Sequence, residues 1–516
     1  MTSFDQVILT PLLDSITDHA DGEALLINGE SYTYRQIGQR ISAIRHALQQ
    51  QQIHHQIVAL LLDDHIDTYA SIIALWFEGN AYLPLNPRWP EQRNLDIINQ
   101  TSAKHLLYTD ININAPILQQ FSTIGTSAIP TTTLPTPTSQ QSAPYPTDDN
   151  DMAYILFTSG STGKPKGVCI TRDNLASFIQ SFWHTGINIT SSDRCLQAFD
   201  LTFDVSIQTF LTAFLPGACL CTIPTAQVKY LYAAMLITEQ SITCAAMAPS
   251  MLTYLRPYFS QLDASRLRTT ILTAEACPAY LAQEWSKCAV NTQIFDLYGP
   301  TEATVYSTCF HLPTPYTDNT PNGILPIGKP LLNIDAIIID SDLNPLPANH
   351  EGELCLAGRQ VTPGYWQNPS QDAAAFITTR DGKRYYRTGD LCTLLPDGNI
   401  LYHGRIDQQA KIQGYRVELG EIEHHAATYL KHHSRTVAVT YQSPQGLDQI
   451  ALFIEDDPDT HISNDNDLLD HLKTMMPQYM IPSCIIHHCP LPLNNNQKID
   501  RNALKTIISQ HATKKA

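Results

Sequence analysis

Hydroxyl side chains, lysines and glycines crowd into one short stretch, Thr158-Ser159-Gly160-Ser161-Thr162-Gly163-Lys164-Pro165-Lys166-Gly167. Glycine lets backbone N–H groups turn inward without a Cβ clash. Inward amides form an anion-binding nest, and lysines add charge, so the chemistry on offer is phosphate binding. The stretch is not a Walker A loop, because Pro165 falls where that motif needs its second glycine. A solvated Gly/Ser/Lys linker is the plain alternative. The apolar runs on either side, Tyr154-Ile155-Leu156-Phe157 and Val168-Cys169-Ile170, argue against it and predict strand, tight loop, strand.

The elements around this loop follow from periodicity. Ile37, Ile41, Ile44 and Leu48 recur at helical spacing, so residues 33–49 are predicted helical with Thr33 as N-cap. Residues 56–62 form a buried strand, 66–78 a helix and 81–85 a strand. This alternation implies parallel sheets covered by helices, and it resumes from 195 to 310 with strands at 245–248, 270–273 and 293–297. The Thr-, Pro-, Ser- and Gln-rich residues 111–150 read as an irregular connection. From 323 to 403 short strands and Gly/Asp/Pro turns predict an antiparallel β subdomain. The tail reads strand 410–418, helix 419–430, strands 435–442 and 449–455, helix 466–476, strand 483–489.

A chain of 516 residues predicts two or more domains. The net charge of −17 argues against a nucleic-acid or anionic-membrane surface. The opening Met1-Thr2-Ser3-Phe4-Asp5 has no basic stretch leading an apolar core, so no signal peptide is expected. No apolar run reaches the roughly 18 residues of a membrane span. Twelve cysteines lie scattered with no C-x-x-C, which predicts reduced thiols in a cytoplasm. Cys219-Leu220-Cys221 reads as alternate positions of an apolar strand. The paired histidines His424-His425, His432-His433 and His487-His488 lack zinc-ligand spacing to the cysteines.

The loop resembles the phosphate loop of adenylate-forming enzymes, the superfamily of nonribosomal-peptide adenylation domains, acyl-CoA ligases and firefly luciferase. Further motifs follow in that family's order. Glu78-Gly79-Asn80-Ala81-Tyr82-Leu83-Pro84-Leu85 resembles its second motif, Tyr298-Gly299-Pro300-Thr301-Glu302 its fifth, and Gly352-Glu353-Leu354-Cys355 with Gly364-Tyr365 its sixth. Tyr386-Arg387-Thr388-Gly389-Asp390 is similar to the seventh. The eighth runs from Gly404-Arg405-Ile406-Asp407 to Gly420-Glu421-Ile422-Glu423, and Asn494-Asn495-Asn496-Gln497-Lys498-Ile499-Asp500-Arg501 is similar to the last. The resemblance implies an α/β fold: a large N-terminal domain of helix-covered sheets plus a β subdomain over 1–406, and a small mobile α+β C-terminal domain over 407–516.

The resemblance also implies roles. Amino acid plus ATP gives aminoacyl-AMP and pyrophosphate, and the attack on the α-phosphate needs positioned cations and amides. Thr158, Ser159, Gly160, Ser161, Thr162, Gly163 and Lys166 would hold the leaving phosphates, and Glu302 would hold Mg²⁺. For Glu302 a helix-terminal charge is the plain alternative. Tyr298, with Gly299 and Thr301, would meet adenine. Asp390 would accept the ribose hydroxyls, against a plain turn aspartate. Tyr402 and Arg405 would lie on the ribose-phosphate. Lys498 would be the catalytic lysine, although Gln497 stands where the family usually has glycine. Asp407 would be the hinge.

Of two Phe-Asp pairs, Asp204 stands at the distance before Gly217-Ala218 that the resemblance implies for the residue pairing a substrate α-ammonium, with helix capping as the alternative. Carrying the pocket over adds Val205, Gln208, Ala246 or Met247, Leu272, Ala274, Leu297, Val305, Tyr306 and Lys498, a wall suited to a small or medium apolar amino acid. L-Proline is the expectation. The chain ends soon after the lysine motif, so the expected acceptor is the phosphopantetheine thiol of a separate carrier protein. A D-alanine–carrier protein ligase and an aryl or fatty acyl-CoA ligase are the rivals; Asp204 speaks against the latter.

Overall fold

The computed structural model describes residues 3–123, 127–137, 143–160, 163–314, 316, 320, 322–380, 382–431, 434–455, 465–493 and 499–515. The chain divides into two compact units. One comprises Met1–Pro87, Ile98–Phe157 and Gly167–Ile406; the other comprises Arg88–Ile97, Thr158–Lys166 and Asp407–Ala516.

In the first unit, strands Glu23–Ile27, Cys219–Thr222, Arg194–Gln197, Cys244–Met247, Thr269–Thr273 and Gln293–Tyr298 lie side by side and run parallel. Their carboxyl ends therefore share one edge. Glu30–Thr33 closes one side of this sheet antiparallel; Thr308–His311 and Lys329–Pro330 close the other. A second sheet carries the parallel strands Met152–Thr158, Ala81–Leu85, Ile57–Leu61, His105–Tyr108 and Ser127–Pro130. The central strands Ala81–Leu85 and Ile57–Leu61 are apolar on both faces, as strands of a helix-covered parallel sheet must be.

Two helices explain the layering. Ile66–Phe77 and Asp204–Phe214 are buried at every residue, their polar side chains included. They meet where Trp76 stacks on Phe210, ring centroids 6.0 Å apart, with Phe4 and Tyr82 edge-on to the indole. The helix Tyr34–Gln50 starts as its sequence predicts: Thr33 accepts from Gln36 N and Gln36 Oε1 accepts from Thr33 N, a capping box. A buried ion pair, Arg45 to Glu78 at 2.7 Å, ties this helix to the end of Ile66–Phe77.

The β subdomain is antiparallel, built from Ile334–Ile339, Glu351–Gly358, Arg384–Leu394, Phe376–Thr378 and Ile400–Arg405. In the second unit, strands Thr436–Gln442, Asp448–Ile454 and Cys484–His487 form a sheet. Helices Leu419–Tyr429 and Asp465–Met475 contribute to an apolar core with it, and Leu504 and Ile508 of helix Arg501–Lys515 belong to a further core.

Three expectations change. Residues 111–150 are not wholly irregular, since they hold helix Pro116–Thr123 and strand Ser127–Pro130. Residues 410–418 form a hairpin, Gln409–Ile412 with Tyr415–Glu418, because Gln413 and Gly414 both take positive φ (+52° and +81°). Helix Arg501–Lys515 was not anticipated. All twelve cysteines are free; Cys219 Sγ and Cys221 Sγ lie 3.8 Å apart on one face of their strand. Among the described residues no helix is long and apolar enough to cross a membrane.

Candidate active site

In the second unit, the loop leaves strand Met152–Thr158 and re-enters the sheet at strand Lys166–Thr171. Gly160 is required by space, since a Cβ there would sit 2.1 Å from Lys164 O. Gly163, at φ +80°, donates its N–H back to Gly160 O at 3.1 Å. The Gly160 N–H itself donates to a carboxylate oxygen, Glu421 Oε2, at 3.1 Å, while Arg93 holds Glu421 Oε1 at 2.6 Å. An amide of this loop is thus turned toward an anion. Ser159 Oγ donates to Arg416 O and accepts from Glu418 N, each at 3.1 Å. Lys166 Nζ lies 3.8 Å from Glu418, whose carboxyl burial pushes up while Lys166 and Arg416 pull it down. Thr158 Oγ1 is buried with no hydrogen-bond partner among the described residues. Asp407 opens the stretch that returns to this unit and accepts from Gln409 N at 3.0 Å. Ser161, Thr162, Gln497 and Lys498 lie outside the described residues.

The first unit gathers three groups. In the first group, Tyr298 ends strand Gln293–Tyr298 and donates its phenol to Asp390 Oδ2 at 2.5 Å. Asp390 lies in strand Arg384–Leu394, not in a turn, opposite Arg405 in the ladder. Arg405 donates to Asp390 Oδ1 at 2.9 Å and to Thr388 O at 2.7 Å. Burial, then the Asp390 charge, pushes the Tyr298 phenol well above its ordinary value. Tyr402 shares the strand Ile400–Arg405, and its carbonyl accepts from Asn322.

The second group centres on Glu302, wholly buried in the short turn Thr301–Ala303. Its Oε1 accepts from Tyr365 OH at 2.7 Å, and its carbonyl accepts from Thr362 N at 2.8 Å. Hard carboxylate oxygen on a fixed side chain suits Mg²⁺. Beyond Glu302 the chain passes through Thr304 and Val305, both at positive φ (+56° and +66°). A left-handed residue other than glycine costs about 1–3 kcal/mol, so such residues persist where surroundings over-determine them.

The third group starts at Asp204, the first residue of helix Asp204–Phe214 and 7% exposed. The N-cap is Phe203, whose side chain makes no capping bond. Tyr82 and Tyr154 are ladder partners with ring centroids 5.6 Å apart, and their buried hydroxyls have no partner among the described residues. Burial raises both phenols, and the Asp204 charge adds to the rise. Gln208 Nε2 donates to Thr212 Oγ1 at 3.0 Å, and Tyr306 OH donates to Gln208 Oε1 at 3.3 Å.

Val205, Ala246, Leu297, Val305 and Tyr306 share one apolar core. Met247 and Leu272 do not: they belong to a second core, with Leu252 and Trp285. The expected lining changes accordingly. Ala246, not Met247, shares the core of Tyr306, and in place of Leu272 it is the next residue, Thr273, whose side chain hydrogen-bonds Tyr306. Ala274 follows that strand at φ +70°. The reason is the pleat, which sends neighbouring side chains to opposite faces. Tyr82, Tyr154, Tyr365 and Gln360 carry site geometry that sequence reasoning missed. Tyr82 and Tyr365 stood inside quoted motifs, but a tyrosine in an apolar run reads as core.

A sequence profile of the AMP-binding enzyme family matches residues 13–366. Zwittermicin A synthase ZmaJ of Bacillus cereus is 30% identical over 523 residues, covering 99% of this chain and 95% of its own. Tyrocidine synthase 1 of Brevibacillus parabrevis is 30% identical over 492 residues; this chain spans 43% of that protein's length, with 94% of itself aligned. Among solved structures, the Vibrio cholerae adenylation domain AlmE, in complex with glycyl-adenosine-5'-phosphate, matches with TM-score 0.86 at 25% identity over 97% of each chain. The artificially fused adenylation-PCP di-domain NpsA-ThdA from Klebsiella oxytoca matches with TM-score 0.78 at 25% identity over 93% of each. With these likenesses spanning nearly its whole length, the chain belongs to the AMP-binding enzyme family, the adenylate-forming superfamily, and its relatives are nonribosomal-peptide adenylation domains.

Proposed function

We propose that this protein activates an amino acid with ATP to an aminoacyl-AMP and passes the aminoacyl group to the phosphopantetheine thiol of a carrier protein, with L-proline as the substrate. The observation that carries the amino-acid part is Asp204: a buried carboxylate at the first position of a buried helix. A buried carboxylate calls for a cationic group in the substrate that reaches it. A substrate α-ammonium meets that need, and a plain carboxylic acid does not. The glycyl-adenylate complex of AlmE and the carrier protein fused to NpsA agree with this reading. Proline rests on the apolar character of Val205, Ala246, Leu297 and Val305.

In this reaction a carboxylate oxygen of the amino acid attacks the α-phosphorus of ATP, and the bond to the pyrophosphate oxygen breaks. The amides, hydroxyls and lysine of residues 158–166 hold the leaving phosphates. Asp390 accepts the ribose hydroxyls, oriented by Tyr298 and Arg405. Glu302 would hold Mg²⁺, which would supply positive charge to offset the phosphates. Lys498 meets the charge that develops between the carboxylate and the α-phosphate. Asp407, at the boundary of the two units, is the hinge.

The test is pyrophosphate exchange over a panel of amino acids, with aryl and fatty acids alongside. Proline-dependent exchange supports the full reading. Exchange with another amino acid keeps the reaction and removes proline. Exchange with an aryl or fatty acid and no amino acid overturns the assignment of Asp204. Full activity in Lys498→Ala would remove Lys498 from the chemistry.

A further inference from the structure

The turn after Glu302 is held by a residue outside it. Tyr306 N donates to Thr304 O at 2.9 Å, closing a three-residue turn around Val305. Val305 is β-branched and sits at φ +66°, where such residues are true outliers. Gly299 lies against this turn: a Cβ there would be 2.4 Å from Val305 O and 2.6 Å from Tyr306 Cα. Gln360, wholly buried, grips the turn from the other side. Its side-chain amide donates to Tyr306 O at 2.7 Å and reaches Thr304 O and Ala303 O at 3.5 Å each. Its own carbonyl accepts from Thr304 Oγ1 at 2.5 Å. One glutamine thus binds the turn through both its side chain and its main chain.

We propose that Gln360 is a positioning residue for amino-acid recognition, fixing the turn at 304–306 so that Tyr306 meets Gln208 and Val305 keeps its place in the wall. This rests on the reading of Asp204, Val305 and Tyr306 as the amino-acid site. The turn begins directly after Glu302, yet Glu302 has its own holders, Thr362 N on its carbonyl and Tyr365 OH on its carboxylate. Removing the Gln360 amide therefore loosens the amino-acid side and leaves the carboxylate's bonds in place.

The experiment is pyrophosphate exchange with separate titrations of amino acid and ATP, on wild type, Gln360→Met, Thr304→Val and the double variant, with thermal melting alongside. Gln360→Met keeps length and loses the donor; Thr304→Val keeps shape and loses the hydroxyl. The expected result is an amino-acid KM raised about tenfold or more in Gln360→Met, an ATP KM within about twofold of wild type, and a smaller preference for the best amino acid over its nearest competitor. Thr304→Val shifts the same quantities less, and the double variant falls short of the product of the singles, because both act on one turn. An unchanged amino-acid KM, or equal rises in both KM values, overturns the proposal. So does a loss of melting temperature alone. If Gln360→Met does not fold, the split between the two KM values in Thr304→Val decides. A wild type that exchanges with no amino acid defeats the functional reading itself, whereas an active wild type with unaltered variants defeats only the role of Gln360.

Discussion

Tyr298 and Asp390, 92 positions apart, are joined by a 2.5 Å hydrogen bond from phenol to carboxylate. The carboxylate's other oxygen is held by Arg405. Asp390 therefore presents a fixed acceptor whose direction depends on two strands from different sheets. Tyr298→Phe removes one restraint and keeps the ring. We expect its ATP KM to rise about tenfold, the worth of one hydrogen bond to a charged group, with the amino-acid KM unchanged. Titration of ATP in the exchange assay measures this. A rise confined to the amino-acid KM would separate the Tyr298–Asp390 pair from the nucleotide.

Asp204→Asn should leave folding intact and damage binding. The helix takes its N-cap from Phe203, not from position 204. We expect the amino-acid KM to rise about a hundredfold or more, the scale of a lost buried charge pair. A melting temperature that drops while KM holds would make Asp204 a structural residue.

Tyr365→Phe tests the carboxylate of Glu302. The Tyr365 hydroxyl orients Oε1, and loss of such an orienting bond weakens metal affinity about tenfold or more. The measurement is the Mg²⁺ concentration for half-maximal exchange. No shift in that midpoint would detach Glu302 from the metal.

Asp63 sets a pH trend remote from these groups. Burial pushes its carboxyl up to about 7; the Thr68 hydroxyl pulls it down, and Asp64, Asp67 and Asp110 push it further up. It also accepts from Thr109 and Asn112. The unfolded value is about 3.9, so between about pH 4 and 7 the folded state keeps a proton that the unfolded state has lost. Stability falls as pH rises through that window and stays lower above it. Asp63→Asn should flatten the fall, by at most about 4 kcal/mol. Melting curves at pH 4, 6 and 8 check this; equal slopes for variant and wild type would rule it out.

The phosphate loop and the helices covering the sheets were legible because their signals are local: glycines at fixed intervals and apolar residues at helical spacing. The face of a fully buried strand was not. Cys244–Met247 and Thr269–Thr273 are buried at every residue, so no polar alternation tells which side chains face Tyr306. That is why Ala246 and Met247 could not be told apart, and why Leu272 was expected beside Tyr306 although it packs in the other core. Proline-rich composition hid the helix Pro116–Thr123, although proline is at home in a first helical position, and it hid the edge strand Ser127–Pro130. The hairpin of 409–418 was signalled by Gln413-Gly414 and overlooked. Gln360 gave no signal, since its role depends on carbonyls more than 50 residues earlier.

The parallel strands of the large sheet stop at one edge, and positions 204, 274 and 305–306 lie past their ends. Positions 204 and 274 follow the ladder residues of their strands, and 305–306 lie in the link between strands Gln293–Tyr298 and Thr308–His311. Under the proposed function, side-chain replacements there would rewrite substrate choice by a few codon changes and leave the strand ladders in place. Gln360 marks the limit of that freedom: it holds the backbone of one such stretch, so variation at 304–306 stays within the shapes one buried amide can hold.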